Sequence, residues 1–211
     1  MPPHGPGMTN ATHSHDPEFP NDDWNLYSML DPALTTALNA TRPGDTVGIF
    51  RPFVRRLEPA PVLISDADEE MLVIARFTSP VHIRKLMVIG GGDGDGQHPS
   101  HVKCYVNQES LDFTSLESTR CAQELDLPIN SNGTVELHLS PMHAFSNVTM
   151  LALYFTANHA EASHTVLKYI GLQGEHTHHR REAVDAQYEV LCSGQDIHQP
   201  EDAAGAHATL H

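Results

Sequence analysis

The chain has 211 residues, and its 12 Lys and Arg against 27 Asp and Glu give a formal net charge of −15. Because nucleic-acid binding depends on basic side chains that neutralise phosphates, this charge argues against nucleic acid and acidic membrane surfaces as partners. The length is typical of one domain with tails, and no apolar run approaches the roughly 18 residues of a membrane span.

The three cysteines, Cys104, Cys121 and Cys192, are widely spaced, and no Cys-x-x-Cys pair occurs. A thiolate zinc site is therefore not expected, and an odd number of scattered cysteines is typical of a reducing compartment. The first twenty residues lack the apolar core of a secretory signal. We expect a protein without a cofactor or a structural metal.

The two ends of the chain differ in composition from the middle. Residues 1–23 are rich in Pro, Gly, His and Asp and have almost nothing to bury, which predicts a disordered arm. Residues 193–211 have the same character and predict a flexible tail. The predicted domain therefore covers residues 24–192.

The first element expected in chain order is a helix over residues 25–39. Leu30, Leu34 and Leu38 recur at helical spacing, and Asp31 followed by a proline is typical of a helix N-cap. This is the only segment that favours a helix.

The rest of the domain consists of short apolar runs separated by Gly, Pro, Asn and Asp turns. The runs are rich in Val, Ile, Thr, Tyr and Phe, and some alternate, as where Val135, Leu137 and Leu139 share one face. About nine short strands of this kind predict an all-β, antiparallel sandwich. The predicted strands cover residues 46–50, 61–64, 71–77, 81–90, 101–107, 134–140, 148–155, 165–174 and 183–190.

The sequence GGGDGDGQHPSH occupies residues 90–101 between two of these strands. An EF-hand loop that begins at Asp93 would need glycine at its sixth position, where His98 stands, and a phosphate loop would need a Lys-Ser/Thr end before a helix. The pattern instead indicates a strand–loop–strand connection in which glycines adopt positive φ. A cation held by Asp93, Asp95 and His98 stays open as an alternative to a solvated acidic turn.

Two other charged segments are candidate binding surfaces. Residues 65–72, SDADEEML, place four carboxylates before a strand and suit either a partner surface or a solvated turn. Residues 174–182, GEHTHHRRE, put His176 and His178 on one face of a strand, but nothing completes a zinc set, and a basic strand end is favoured. Arg55 and Arg56 form the other notable basic cluster.

Catalytic patterns are scarce in this sequence. No Gly-x-Ser-x-Gly elbow occurs and no cysteine has a nucleophile motif, so no enzyme activity is predicted. Trp24, the only tryptophan, is interpreted as an anchor for the start of the domain rather than a sugar platform. The C-terminal His211 combines an imidazole with an α-carboxylate. These groups could bind a metal in a partner's cleft, or the chain could end there as a frayed terminus.

Five motifs occur in a fixed order. They are SDADEEML (65–72), HPS (98–100), FSNVTMLALYF (145–155), YIGLQGE (169–175) and YE (188–189). Together with GIFRPF (48–53) and LN (38–39), this order closely resembles the PITH domain family. The family includes the module that follows thioredoxin in a thioredoxin-like protein of the proteasome, and the resemblance covers residues 25–192. The chain resembles the stand-alone form of this family, in which no thioredoxin domain is expected before the module.

The resemblance implies a jelly-roll β-sandwich similar to galactose-binding domains, with no catalytic residues. It also implies a cytoplasmic and nuclear protein that associates with the regulatory particle of the proteasome. Two departures bear on the partner rather than the fold. The loop before HPS is unusually rich in glycine, and His176 stands where the family often has tryptophan.

The leading hypothesis is therefore a monomeric, non-catalytic protein-interaction module. A glycan- or calcium-binding module is the alternative from the fold analogy, although one tryptophan and 6% aromatic residues argue against a sugar platform. The residues predicted to contact a partner are Asp66, Asp68, Glu69, Glu70, Asp93, Asp95, His98, His176, Arg180, Arg181 and His211.

Overall fold

The computed structural model describes residues 24–91 and 95–176. The predicted arm, the flexible tail and the expected strand at 183–190 lie outside these residues. The described strands are β1 (Thr36–Leu38), β2 (Leu63–Ile64), β3 (Met71–Gly90), β4 (Pro99–Val106), β5 (Gln123–Asp126), β6 (Leu137–His138), β7 (Val148–Asn158) and β8 (Val166–His176). The described helices are α1 (Thr46–Ile49), α2 (Phe113–Leu116) and the 3-10 helices Leu26–Met29, Pro43–Asp45, Phe53–Arg55, Asp95–Gln97 and Met142–Phe145.

All described strand pairs are antiparallel, and β3 contributes to both layers of a sandwich. Its first half pairs with β1 and β7, from Met71 opposite Phe155 to Arg76 opposite Met150. Its second half pairs with β6 and β8, ending with Gly90 opposite Leu167. The register shifts between Arg76 and the second half, where the strand passes from one layer to the other.

The core lies between these two layers. Alternation along β3 places Val73 and Ala75 of the first half, and Leu86 and Val88 of the second half, in one buried cluster. The intervening residues face outward, and each outer face is partly covered. Leu116 of α2 packs over the layer that contains β4 and β7. The predicted all-β sandwich is therefore confirmed.

The second outer face is covered by aromatic side chains from the beginning of the domain. Trp24 and Phe53 pack over Met87, Ile89 and Tyr169 on the outer side of β3 and β8. The Trp24 and Phe53 rings stack with centroids 6.1 Å apart and planes 16° apart. Trp24 is 5% exposed, so it anchors the start of the domain, as predicted.

The predicted helix over 25–39 is wrong. Only one helical turn follows Asp31, whose Oδ1 accepts from the Ala33 N–H at 2.9 Å, and Leu34 is then 55% exposed. The chain next extends into β1 because Thr36 to Leu38 pair with the first half of β3. Strand pairing on the sheet therefore prevails over the leucine spacing.

Three strand predictions also need correction. The strand predicted at 46–50 is replaced by α1, Thr46–Ile49, and the Thr46 hydroxyl donates to the Pro43 carbonyl at 2.6 Å in the turn that leads into it. Residues 71–77 and 81–90 are one strand that spans both layers. The strand predicted at 134–140 is limited to β6, Leu137–His138, but its alternation is confirmed, because Leu139 is buried while Glu136 and His138 are exposed.

Candidate protein-interaction surface

The acidic loop, residues 65–70, connects β2 to β3 and is shaped by Asn39 at the end of β1. Asn39 has a positive φ of 56°. Its amide nitrogen donates to Asp68 Oδ1 at 2.7 Å and to the Glu70 carbonyl at 2.6 Å, and its oxygen accepts from the Ala67 N–H at 2.9 Å. One side chain therefore fixes three points of the loop.

A second set of hydrogen bonds ties the acidic loop to the segment before β8. The Thr165 N–H donates to the Ser65 hydroxyl at 2.9 Å, and the Thr165 hydroxyl donates to the Glu69 carbonyl at 2.7 Å. Ser65 and Thr165 are both 0% exposed. Because these buried polar groups satisfy one another, the loop is held against the sandwich.

The four carboxylates of the acidic loop play different parts. Asp68 Oδ1 accepts from Asn39 and from the Glu70 N–H, so it stabilises the turn. Glu70 acts on Tyr154 of β7. The pKa of Tyr154 is raised above its ordinary value, first by burial, then by a hydrogen bond to Glu70 and by the negative charge of Glu70. Asp66 is exposed and Glu69 half-buried, and neither carboxylate has a hydrogen-bond or ion-pair partner among the described residues.

The glycine-rich segment is a strand–loop–strand connection, as predicted: β3 ends at Gly90 and β4 begins at Pro99. Gly91 has a positive φ of 83°. Gly90 is required for a different reason, since a Cβ there would lie 2.4 Å from Pro99 Cδ and 2.7 Å from the Val166 carbonyl oxygen. Asp93 lies outside the described residues, and so does the side chain of Asp95.

The acidic loop and the start of the glycine-rich loop at Gly91 lie at one end of the sandwich. We call this end the acidic end. Both loops contact the beginning of β8, since Thr165 bonds the acidic loop and the Gly91 N–H donates to the Val166 carbonyl at 3.0 Å. Two segments far apart in sequence thus become neighbours, which the sequence alone does not show.

His98 belongs to the acidic end but faces inward. It is 3% exposed, its Nε2 lies 3.3 Å from the Ser131 hydroxyl, and its carbonyl accepts from the His159 N–H at 3.0 Å. Val88 and Asn130 are among the residues that line the small cavity beside it. Its observed contacts stabilise the base of the glycine-rich loop.

The basic segment, residues 174–182, begins at the opposite end of the sandwich. His176, the last residue of β8, pairs with Val81, whereas Leu167 pairs with Gly90 near the acidic end. At about 3.3 Å per residue, the strand from Leu167 to His176 spans about 30 Å, so His176 is remote from the acidic loop. Arg180, Arg181 and His211 lie outside the described residues.

A cleft of about 240 Å³ lies beside His176 at that opposite end. Arg84 and Glu175 on its wall form an ion pair, with an N–O distance of 2.8 Å. Phe145 is fully buried, whereas Met142 at the rim is 69% exposed. The cleft is lined by His82, Ile83, Arg84, Met142, Phe145, Ser146 and Glu175.

The residues that organise the acidic end were not among the predicted site residues. Asn39 directly follows β1, Tyr154 lies in β7, and Thr165 directly precedes β8. Only the tertiary fold brings these three residues together. A signal for Asn39 existed in the LN motif at 38–39, because asparagine tolerates positive φ well. The polar Thr165 among apolar strand residues gave no comparable signal.

The described ranges also bear on metal sites and membrane spans. Residues 24–91 and 95–176 contain no group of three or more His, Cys, Asp or Glu side chains placed to hold a metal ion. Within the same ranges, no helix has the length and apolar character that crossing a membrane requires.

Solved structures define the fold class. The chain is similar to a fucolectin from striped bass, with a TM-score of 0.52 and 9% identity over 72% of this chain and 49% of that one. An F5/8 type C domain from Bacteroides fragilis gives a TM-score of 0.46 and 10% identity over 70% of this chain and 96% of that domain. The likeness to the fucolectin concerns the fold alone and shows a galactose-binding-like β-sandwich.

Sequence comparisons define the family within that fold. The PITH domain profile matches residues 16–191. PITH domain-containing protein 1 of Dictyostelium discoideum is 31% identical over 187 residues, 89% of this chain and 90% of that protein. The mouse protein of the same name is 32% identical over 193 residues, 90% of this chain and 89% of that protein. The chain belongs to the PITH domain family.

Proposed function

We propose that this chain is a non-catalytic protein-interaction module that binds the regulatory particle of the proteasome through its acidic end. The observation that carries the proposal is the acidic loop, where Asp66 and Glu69 have no partner among the described residues while the backbone beneath them is fixed. Family membership supports an interaction role, and the net charge of −15 suits a basic partner.

The physical basis is preorganisation of a charged surface. A loop that is already fixed loses little conformational entropy when a partner binds. Asn39 and Thr165 hold this loop through buried or half-buried hydrogen bonds, so the backbone that carries the two available carboxylates keeps its position. A partner with Lys or Arg side chains would therefore meet two negative charges on a fixed backbone, and salt should weaken the association.

The first experiment is affinity purification of tagged protein from native cell extract at low and at moderate salt, with partners identified by mass spectrometry. We expect regulatory-particle subunits at low salt and less of them as salt rises. Recovery of no proteasome subunit at low salt, from a preparation that retains intact particles, would contradict the proposal.

The glycan- or calcium-binding alternative has less support from the geometry. Trp24, the only tryptophan, is 5% exposed and stacked on Phe53, so it offers no platform for a sugar ring. The likeness to the fucolectin concerns the fold alone. Calorimetry with calcium chloride and a glycan array test this alternative, and binding in either assay would favour it.

We also propose that the protein is a monomer and that it is present in both the cytoplasm and the nucleus. Sedimentation velocity checks the oligomeric state, and a single species near 23.2 kDa is expected. Imaging of the untagged protein with an antibody checks the location, for which we expect signal in both compartments.

A further inference from the structure

A second exposed surface lies on the turn between α1 and β2. Val54 is 75% exposed and Leu57 is 57% exposed. They are three residues apart in a run of i to i+3 hydrogen bonds, where the Arg56 N–H donates to the Phe53 carbonyl and the Glu58 N–H to the Arg55 carbonyl. Val54 lies in the 3-10 helix Phe53–Arg55 and Leu57 in the turn that follows it, so one short turn exposes both apolar side chains, and we call residues 54–57 a ridge.

The ridge is held in place from beneath. The Phe53 ring stacks on Trp24, and the Arg56 guanidinium carbon lies 3.9 Å from the centroid of the Phe53 ring. Arg51, which is 5% exposed, donates to the Ala60 carbonyl at 2.7 Å and also to the Lys168 carbonyl. The exposed apolar side chains are therefore presented by a preorganised turn.

The charge of the ridge is opposite to that of the chain as a whole. Three of the chain's 12 Lys and Arg residues lie in the six residues 51–56. Glu58 neutralises part of this charge, since its carboxylate accepts two hydrogen bonds from Arg55, at 2.6 and 2.8 Å. Within the described residues, the Arg56 guanidinium donates one hydrogen bond, from Nη1 to the Phe53 carbonyl at 3.2 Å, and its buried Nε has no acceptor.

We infer that Val54, Arg55, Arg56 and Leu57, the basic ridge, form a docking surface for an acidic segment of another protein that carries apolar side chains. The apolar groups of that segment would cover Val54 and Leu57, and a carboxylate would accept from Arg56. Because salt screens charges beyond about 8 Å, the local arginines prevail over the distant negative charge of the chain.

This docking surface is independent of the acidic end. Charge complementarity selects a basic partner for the acidic loop and an acidic one for the ridge, so the two surfaces can be tested separately. An anionic membrane is the competing occupant of a basic and apolar ridge. The charge of −15 makes a membrane less suitable than a protein segment, since it repels an extended anionic surface.

The test uses the full chain labelled with ¹⁵N and defined probes. The first probe is a synthetic peptide in which Asp and Glu alternate with Leu and Phe, and two matched peptides replace the acidic residues by Lys or the apolar residues by Ser. The last probe is a vesicle of phosphatidylserine and phosphatidylcholine. Amide chemical shifts locate the contact, and a peptide titration gives the Kd.

We expect shifts confined to residues around 53–58 with the acidic apolar peptide, and none with the two matched peptides or the vesicle. Val54→Asp and Leu57→Asp together should weaken binding at least tenfold. Leu34→Asp is the matched control, because Leu34 is 55% exposed but lies elsewhere, and it should leave the Kd unchanged. Asp66→Lys should also leave it unchanged, which separates this inference from the proposed function.

Several outcomes would overturn the inference. They are binding of the Lys peptide as tightly as the acidic one, binding of the vesicle alone, equal loss in the Leu34→Asp control, or no shift around 53–58 with any probe. Val54→Asp alone serves as the second variant, and its near-wild-type melting temperature should show that the fold is intact.

Discussion

The acidic end and the basic ridge are both fixed, but different forces hold them. Asn39 and Thr165 hold the acidic loop by hydrogen bonds to its backbone and to Asp68. The ridge instead stands on packed rings, with Phe53 between Trp24 and the Arg56 guanidinium. The comparison shows that a sandwich can present two charged surfaces of opposite sign when each has its own local support.

A substitution that weakens one of these two surfaces should leave the other in place. The largest loss in the free energy of unfolding is expected at Trp24, which lies beneath the basic ridge. Trp24→Ala removes a ring that covers Met87, Ile89 and Tyr169, and we expect a loss of about 4 kcal/mol in the free energy of unfolding. Urea denaturation measures it, and hydrogen exchange should rise at 53–58 but not at 65–70. Equal loosening of both segments would show that the supports are coupled.

The buried arginine gives the next largest effect. Arg51→Met removes the donors of the Ala60 and Lys168 carbonyls, and the loss of these part-buried hydrogen bonds of a buried arginine should cost about 3 kcal/mol. Burial lowers the pKa of Arg51 from its ordinary value, with Glu58 opposing the shift. Urea denaturation checks the loss, and Arg55→Met, which alters an exposed arginine of the same turn, should cost far less.

The acidic end can be loosened from its own side. Asn39→Ala removes three hydrogen bonds and leaves a positive φ of 56° on alanine, so we expect a loss of about 2 kcal/mol. Asn39→Gly is the matched control, because glycine keeps the φ and loses only the bonds. Exchange should rise at 65–70 with both variants, and unchanged exchange there would contradict the role of Asn39.

The smallest effect concerns Tyr154, whose pKa is raised by burial and then by Glu70. A group with a raised folded pKa adds stability below its unfolded pKa, near 10, and this contribution is lost as the pH rises through the folded value. Burial also raises the pKa of Tyr105, so absorbance at alkaline pH should show more than one tyrosine that ionises late, and Tyr154→Phe should remove one of these steps. Glu70→Gln should make Tyr154 ionise earlier, and no change would exclude the Glu70 contact.

The fold was largely predictable from the sequence, because alternation and turn residues are local signals. The strands around Ile74, Val102 and Leu151 were recognised in this way. The segment 25–39 was mispredicted because Leu30, Leu34 and Leu38 mimic a helix, whereas pairing with β3 decides its structure. Such pairing joins residues far apart in the chain and leaves no local pattern.

The candidate surface was predictable only in part. The acidic loop was recognised from its composition, but the sequence could not distinguish Asp68, which holds the turn, from Asp66, whose carboxylate has no partner among the described residues. His98 was placed with the surface residues, although it is 3% exposed. The sequence indicated the basic ridge only through Arg55 and Arg56. Its apolar character became clear from the exposure of Val54 and Leu57 in the structure.

The measurement that tests the central proposal most directly is the Kd of purified proteasome regulatory particle for this chain at two salt concentrations. We predict that Asp66→Lys with Glu69→Lys weakens binding at least tenfold at low salt. Glu109→Lys with Glu175→Lys is a charge-matched control on exposed residues beside Arg76 and His82, remote from the acidic loop, and should leave binding nearly unchanged. Equal loss with both pairs, or no loss with the first, would contradict docking through the acidic end.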